Sequence, residues 1–458
     1  MKKVILLPLA VYLPALFVFF SGDDWFHLRV SNVHKLSEFI NFFSFEKTAQ
    51  SIAFYRPLST QAFFFVFQKL FGLNPLSYHL FVLACFGLAG YLFYRLAKKL
   101  LGNNKKAIIS TLIFGLASSN VTRLYFLSHF QEISLVVFSL LTVLSYLENK
   151  KLPAVIFFVL AIMSKETAVI LPFILFLLDW YRKKIDFRKL LPFAFIPFPY
   201  LYLRLFRFGG AVGETYGWNL SPIKMANTFM WYGLWSVGAP ELLLDYIGSG
   251  LRPISRFFTD FPVWWHLIIW PLLANLAFLF FLFIRKTKSI DRKFVFFMAS
   301  FVSSLLPVLF LPQHKFAVEL GLPLVWFSLT VAWLLPENKK TIILFVLVFL
   351  SLNIPMNILT AQTHYSVGRA KVSKKVYDFV IKDYPNKPNN VYFEFINDTR
   401  AYTPEWGSSR QISNSIQGSE MFRFIYNDPN YLVYFEDFPG IRPANEKKVS
   451  LSTKMFVQ

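Results

Sequence analysis

Long apolar runs recur through about three quarters of this 458-residue chain, and clusters of Lys and Arg separate many of them. A helix needs about 20 consecutive apolar residues to cross the hydrocarbon core of a bilayer, where its backbone must satisfy its own hydrogen bonds. Many of the runs approach this length, and 55% of all residues are hydrophobic. The sequence therefore predicts an all-α polytopic membrane protein.

The basic clusters indicate how the chain crosses the membrane, because cytoplasmic loops are enriched in Lys and Arg. Lys2 and Lys3 place the N-terminus in the cytoplasm. The apolar run from Val4 to Phe20 is longer than the core of a cleaved signal peptide, so we expect it to be kept as the first span. Alternation of the later clusters predicts about eleven spans, in the plasma (inner) membrane.

This topology divides the chain into two predicted domains. Residues 1–359 form the transmembrane domain, with a long first external loop over residues 22–74 and a semi-apolar, re-entrant or interfacial segment over residues 221–246. From residue 360 the composition becomes polar, which predicts an extracytoplasmic α/β domain over residues 360–458. Its expected elements are helices at Val372–Tyr384 and Ser419–Tyr426 and strands at Val391–Ile396 and Tyr431–Glu436.

The formal net charge of +21 resembles that of a nucleic-acid-binding protein. Much of the positive charge lies beside apolar runs, however, as the topology rule requires, so we expect no nucleic-acid partner. Anionic headgroups or a phosphate-bearing substrate can use the remainder. The single cysteine, Cys85, excludes an intrachain disulfide and a thiol-ligated metal site.

The sequence Gly22-Asp23-Asp24-Trp25 places two adjacent carboxylates where the first span leaves the membrane. Adjacent like charges resist joint ionisation, so the pKa of one of them tends to rise. Charges at this depth are costly and are usually functional. We predict a catalytic or substrate-binding role for the pair; the alternatives are that it caps the following helix or pairs with Arg29.

Five further ionisable clusters fall on the same external side: Arg56, His129/Glu132, Lys165/Glu166, Arg204/Arg207 and His314/Lys315/Glu319. Glycosyl transfer from a lipid-phosphate donor needs such a set. A carboxylate takes the proton of the attacking hydroxyl, and cations hold the departing phosphate, for which the planar fork of Arg is well suited.

We assign these clusters provisional roles. The donor phosphate is expected to bind Arg56, Lys165, Arg204 and Arg207, and substrate is expected to contact His129, Glu132, Glu166, His314, Lys315 and Glu319. Other roles stay open. The arginines can extend to lipid headgroups, and Lys165 can pair with Glu166. His129 and Glu132, three residues apart on one helical face, can form a hydrogen bond or a metal pair.

Several motifs together resemble those of GT-C glycosyltransferases, in the branch of protein O-mannosyltransferases, their tetratricopeptide-bearing relatives and bacterial transferases of lipid-linked sugars such as the aminoarabinose transferase. The resemblance covers about residues 1–360. The motifs are Gly22-Asp23-Asp24-Trp25, Tyr55-Arg56-Pro57-Leu58, Asn74-Pro75-x-x-Tyr78-His79, Ser164-Lys165-Glu166-Thr167-Ala168 and Gln313-His314 with Glu319 and Pro323.

This resemblance implies a polyprenyl-phosphate-linked sugar donor, inversion at the anomeric carbon and a first-loop Asp as the base. Asp23 matches the first acidic position of the motif and is favoured over Asp24, while Lys165, Glu166 and Arg204 resemble the donor-phosphate region. The adjacent acids differ from the spaced Asp-x-Asp motif of metal-dependent oligosaccharyltransferases, so we expect neither a metal nor another cofactor. The chain also has no tetratricopeptide repeats. The acceptor hydroxyl can belong to a protein, a lipid or a glycan.

Two other functions are compatible with a polytopic chain that carries internal charges. A transporter or flippase of a lipid-linked or anionic substrate predicts inverted repeats and ionisable groups near the middle of the membrane, and the sequence shows neither. A non-catalytic protein of envelope assembly does not require the pair of acids at Asp23 and Asp24.

Overall fold

The computed structural model describes residues 2–46, 48–49, 54–209, 216–398 and 407–457. Residues 47 and 50–53 of the predicted first external loop lie outside the described residues, as do 399–406 and 458 of the predicted C-terminal domain. The described part of the chain is mostly helical, with one small sheet near its C-terminal end.

The described residues of the first half of the chain form twelve α-helices. They are α1 (Lys2–Val11), α2 (Asp23–Ser31), α3 (Leu36–Ile40), α4 (Phe63–Phe71), α5 (Pro75–Leu101), α6 (Asn104–Leu116), α7 (Asn120–Leu124), α8 (Phe130–Leu147), α9 (Lys151–Ser164), α10 (Leu171–Tyr181), α11 (Phe187–Phe195) and α12 (Pro197–Leu203). A short 3₁₀ turn, Glu166–Ile170, joins α9 to α10, and a π-helical turn, Arg204–Phe208, follows α12.

Eight further helices continue the chain as far as the sheet. They are α13 (Pro222–Val237), α14 (Leu243–Tyr246), α15 (Ser255–Asp260), α16 (Trp264–Lys286), α17 (Arg292–Leu309), α18 (Gly321–Leu334), α19 (Lys339–Thr363) and α20 (Tyr365–Asp383). A 3₁₀ turn, Ala317–Leu320, leads directly into α18.

Six helical segments within the described residues are long and apolar enough to cross a membrane, judged by length and composition. They are Pro75–Leu101, Leu127–Leu147, Trp264–Ser289, Arg292–Leu309, Ala317–Leu334 and Lys339–Asp383. The structure thus agrees with a membrane protein of mainly helical architecture, and the count of about eleven spans stays a prediction.

Local sequence explains where the longest of the early helices begins and ends. The side chain of Asn74 accepts a hydrogen bond from the Leu76 amide, and Pro75 follows at the first helical position, which together form a favourable start for α5. The helix ends at Gly102, whose φ of 67° is a left-handed conformation that glycine adopts readily.

Two predicted spans are interrupted. The run from Val4 to Phe20 forms α1 and a separate 3₁₀ turn, Leu13–Phe17, because Pro14 lacks the amide hydrogen that would continue the helix. The apolar run from Ala107 to Tyr125, another predicted span, divides into α6 and α7. Between them, the side chain of Asn120 donates to the carbonyl of Phe114 at 2.7 Å and satisfies a group that the helix end leaves unpaired.

The C-terminal region contains a three-stranded parallel sheet in the order β2-β1-β3, where β1 is Val391–Ile396, β2 is Val433–Phe435 and β3 is Lys447–Ser452. Three short helices accompany it: α21 (Ser408–Ile416), α22 (Glu420–Ile425) and α23 (Lys454–Val457). The predicted strand at Val391–Ile396 is confirmed, and α22 and β2 appear with small shifts in their ends. Helix α20 begins at Tyr365, well before the predicted start at Val372. Helices α21 and α23 and strand β3 had no counterpart in the sequence prediction.

The C-terminal elements pack directly on helix α2. The indole Nε1 of Trp25 donates to the Ser373 hydroxyl of α20 at 2.8 Å, and the guanidinium of Arg29 pairs with Glu420 of α22. Arg29 therefore forms its ion pair with the C-terminal region, and the alternative that it pairs with the acids at the start of α2 is wrong. The side chains of α2 and of the C-terminal elements share one buried core.

Candidate active site

Asp24 is enclosed and fully hydrogen-bonded. Its side chain is 1% exposed, and its carboxylate accepts hydrogen bonds from the Ser21 amide at 3.0 Å and from the amide and hydroxyl of Ser128 at 2.7 and 2.5 Å. Burial raises the pKa of Asp24 to about 7, although the hydrogen bonds from Ser128 and Ser21 lower it. Asp24 thus fastens the start of α2 to the segment that precedes α8.

Asp23 differs from Asp24 in its exposure and in its hydrogen bonding. Its side chain is exposed, and it forms no hydrogen bond or ion pair with any described residue. Desolvation by the surrounding protein nevertheless raises the pKa of Asp23, against the opposing effect of the positive charges of Arg369 and Arg56. A side chain that is open to solvent and yet closely surrounded stands in a recess. Asp23 is therefore a carboxylate in a recess with its oxygens available.

Arg56 lies on the same recess and holds Glu166 in a two-pronged ion pair. Its Nε donates to Glu166 at 2.7 Å, one Nη donates to the other oxygen of that carboxylate, and the second Nη donates to the Gln131 side chain. Burial alone would raise the pKa of Glu166, but the charges of Arg56 and Lys165 outweigh it and lower the pKa to about 2. A guanidinium has five N–H groups, so two of those of Arg56 have no acceptor among the described residues.

Lys165 occupies the centre of a buried charge network. Its ammonium group pairs with Glu132 and with Glu319, the latter at 2.6 Å, and its side chain is 4% exposed. The alternative in which Lys165 pairs with Glu166 is therefore wrong, because Glu166 pairs with Arg56 instead. Removing charges from water is costly unless each one has a partner. The three side chains come from different helical turns, so this network ties α8, α9 and α18 together.

Glycine at the start of α18 makes room for this network. A Cβ atom on Gly321 would lie 2.5 Å from the Glu132 carboxylate and 3.2 Å from a methyl group of Val136. The same oxygen of Glu132 is buried and has no hydrogen-bond partner within the described residues. A side chain at position 321 would therefore displace Glu132 from Lys165.

We accordingly expect Gly321→Ala to destabilise the protein by about 1–3 kcal/mol, as is typical of overpacking in a close-packed interior. The measurement is thermal unfolding of the purified protein in nanodiscs. Gly90→Ala is the matched control, because a Cβ atom on Gly90, within α5, meets nothing within 4 Å. Equal melting temperatures for the two variants would contradict the close approach at Gly321.

Arg204 and Arg207 lie in the π-helical turn after α12 but have different surroundings. Arg204 is buried, donates to the Gly209 carbonyl at 2.6 Å, and lies 5.4 Å from the centre of the Phe54 ring. The guanidinium of Arg56 also lies near this ring, 4.6 Å from its centre. Arg207 is exposed, beside the exposed apolar side chains of Leu205 and Phe206.

The histidines predicted for substrate binding occupy two environments. His129 Nδ1 lies 2.7 Å from the Thr122 carbonyl, so this hydrogen bond, rather than one with Glu132, fixes its ring. His314 stacks on Tyr216 with ring centres 4.3 Å apart. The described residues contain no group of three or more His, Cys, Asp or Glu side chains that could hold a metal ion.

Lys315, the neighbour of His314, points elsewhere. Its ammonium group donates to the side-chain oxygen of Asn227 in α13 at 2.9 Å. Among the twelve residues predicted from the sequence, the structure groups Asp23, Arg56, Glu166, Lys165, Glu132, Glu319 and His314 around one region. Arg204 joins this region through Phe54.

Several side chains of this region carry no sequence signal. Tyr216 is influenced by the charges of Arg56, Asp23, Glu319 and Glu166, which shows that it lies among them. Arg369, in α20, is the cation whose charge acts most strongly on Asp23. Neither belongs to a recognisable motif, because the contacts that bring them here join distant parts of the chain.

Comparison with known proteins gives a limited result. No family model matches this sequence, and no curated protein matches it significantly. The chain does show similarity to solved structures of an oligosaccharyltransferase from Archaeoglobus fulgidus.

Three of these structures are representative. The apo form gives a TM-score of 0.47 at 12% identity, over 86% of this chain and 62% of that one. The complex with an inhibitory peptide and a dolichol-phosphate gives 0.43 at 12% identity, over 91% and 63%. The form tethered to an acceptor peptide gives 0.44 at 12% identity, over 86% and 61%. The chain thus spans less than two thirds of their length, and similarities this weak indicate nothing about its substrates.

Proposed function

We propose that this chain transfers a sugar from a polyprenyl-phosphate donor to the hydroxyl of an acceptor, with inversion, on the external face of the plasma membrane. The observation that carries the proposal is the asymmetry of the two acids: Asp24 is fully hydrogen-bonded, whereas Asp23 is exposed beside positive charge and has no partner among the described residues. A general base must have free oxygens within reach of substrate.

In the proposed reaction, a carboxylate oxygen of Asp23 accepts the proton of the acceptor hydroxyl. The hydroxyl oxygen forms a bond to the anomeric carbon while the bond from that carbon to the phosphate oxygen breaks. The polyprenyl phosphate leaves with the electron pair, and the proton stays on Asp23 until it passes to solvent. Attack from the side opposite the leaving group inverts the anomeric configuration.

The departing phosphate needs positive charge as its own negative charge grows. Arg56 keeps two N–H groups available, and Glu166 and Gln131 fix the orientation of its guanidinium. Arg207 is exposed next to apolar side chains at which a lipid tail can lie. Arg204 supports Arg56 through Phe54, and Lys165 neutralises the carboxylates beneath the site.

The proposal is tested by a transfer assay with the full chain in nanodiscs. Polyprenyl-phosphate sugars of several types are supplied as donors, with hydroxyl acceptors from the protein, lipid and glycan classes, and the released polyprenyl phosphate is measured. We expect release that depends on both donor and acceptor. If the chain releases polyprenyl phosphate from none of these donors, the transferase proposal fails.

The activity should depend on pH through Asp23. A base works in its ionised form, and the pKa of Asp23 is raised above 3.8, so transfer should fall as pH decreases through a value above the ordinary range of Asp. The positive charge of Arg369 lowers this pKa. We therefore expect Arg369→Gln to move the acid limb of kcat/KM to higher pH. Lys382→Gln, on the same helix, should leave it unchanged, and equal profiles for all three proteins would contradict the assignment.

A further inference from the structure

A large cavity lies between the C-terminal helices and the segment that precedes α18. Its volume is about 920 Å³, within the range of sites that enclose a small-molecule ligand. One side is α20, the other is formed by α21 and α23, and Phe316 also lines the cavity. The proposed function makes no use of this space.

The charged side chains among the described lining residues are all basic. Arg369, Lys371 and Lys375 project from α20 within about two turns of helix, and the described lining residues include no carboxylate. Lys371 is exposed. Clustered cations on one wall create a positive potential that favours an anion.

The neutral part of the lining has the character of a saccharide site. Tyr365 and Phe316 supply aromatic surface, and Gln411 and Asn414 supply side-chain amides that both donate and accept hydrogen bonds. Sugar rings present C–H faces that pack on aromatic rings and hydroxyl groups that pair with amides. A purely lipidic ligand would leave these amides without partners.

The cavity also borders the candidate base. The amide of Gly22 donates to the Ser415 carbonyl at 2.7 Å, and both Ser415 and Asn414 line the cavity. Asp23 follows Gly22 directly in the chain. Arg369 completes the connection, since it lines the cavity and its charge acts on Asp23. A ligand held in the cavity can therefore present a group to Asp23.

We propose that this cavity binds the acceptor and that the acceptor is a saccharide bearing negative charge, as a carboxylate or a phosphate. This rests on the proposed function for its reaction, because Asp23 would take the proton of the saccharide's hydroxyl. The anionic group pairs with Arg369 and Lys371, which orients the hydroxyl toward the recess. The positive charge of this wall favours anionic acceptors over neutral and cationic ones.

The test measures binding separately from transfer. The full chain in nanodiscs of phosphatidylcholine is titrated with trigalacturonate and with mannose 6-phosphate, and with galactotriose and mannose as neutral counterparts. We expect at least one charged saccharide to bind about tenfold more tightly than its counterpart, with an affinity that falls as salt rises. If trigalacturonate binds, the anionic group of the acceptor is a carboxylate, and if mannose 6-phosphate binds, it is a phosphate. Equal affinity of charged and neutral probes overturns the proposal.

Variants of α20 assign the binding to this cavity. Lys371→Glu should remove the preference for charge, Lys371→Arg should keep it, and Lys382→Glu, an exposed position at the end of the same helix, should have no effect. Because Lys371 is exposed, its replacement should leave the melting temperature unchanged. A charge preference that survives Lys371→Glu overturns the assignment.

The two proposals can fail independently. Lys371-dependent binding by a chain that transfers no sugar would overturn the proposed function and leave the anionic-saccharide site standing. Transfer to neutral acceptors at the same rate as to charged ones would overturn the site and leave the function standing. Asp23→Asn should lower the rate of transfer by about 10²–10⁴-fold while the affinity for the charged probe is kept.

Discussion

Asp23→Asn is expected to lower the rate of sugar transfer by about 10²–10⁴-fold, the contribution typical of a general base. The amide has nearly the same shape as the carboxylate but cannot accept the proton of the acceptor hydroxyl. Because Asp23 has no partner among the described residues, its replacement should change the melting temperature little. The measurement is initial rate against donor and acceptor concentration, with unfolding recorded on the same preparation.

Asp24→Asn provides the matched control, with the opposite pattern. The amide NH₂ would face either the Ser21 amide or the Ser128 donors, which leaves a buried donor without an acceptor and costs about 1–3 kcal/mol. Loss of activity in this variant should follow its loss of stability. Full transfer by Asp23→Asn would refute the base assignment, and so would an equal loss of rate in both variants at unchanged melting temperature.

The position of the acidic pair was predictable from the sequence, but the difference between its members was not. Two carboxylates at the end of an apolar run are visible in the order of residues. Two of the three hydrogen-bond donors to the Asp24 carboxylate belong to Ser128, about a hundred positions later, and only the folded chain brings these groups together. The helical membrane architecture was predictable for a similar reason, because hydrophobic run length is a local property. The interruptions at Pro14 and Asn120 depend on a single residue each.

Pairing among the later charges was harder to foresee. The sequence places Lys165 beside Glu166, which suggests that they interact, but successive residues at a helix end point in different directions. In the fold Glu166 turns to Arg56, and Lys165 turns inward to Glu132 and Glu319. The cavity beside α20 had no sequence signal at all. Its walls are α20, α21 and α23, and the strands of the sheet lie between these helices in the sequence.

The second large effect is expected at Lys165. Lys165→Met should destabilise the protein by about 3–5 kcal/mol, because it leaves Glu132 and Glu319 buried side by side without the ammonium group that pairs with both. Methionine has a similar length and is apolar, so the loss is mainly electrostatic. Thermal unfolding in nanodiscs measures it, and Lys150→Met is the control. Lys150 pairs with Glu148 at the surface, with 61% of its side chain exposed, and should cost less than about 1 kcal/mol.

Restoring charge balance should recover most of the lost stability. Arg123 is buried close to both glutamates, whose charges act on it. Lys165→Met with Glu132→Gln removes one charge of each sign and leaves Glu319 with Arg123, so the buried charges again balance. This double variant should therefore melt nearer the wild type than Lys165→Met alone does. If the double variant is as unstable as the single one, Lys165 acts through packing instead of charge. A single variant that melts like the wild type would mean that Lys165 is not the centre of a buried network, and its predicted role at the donor phosphate would again be the better account.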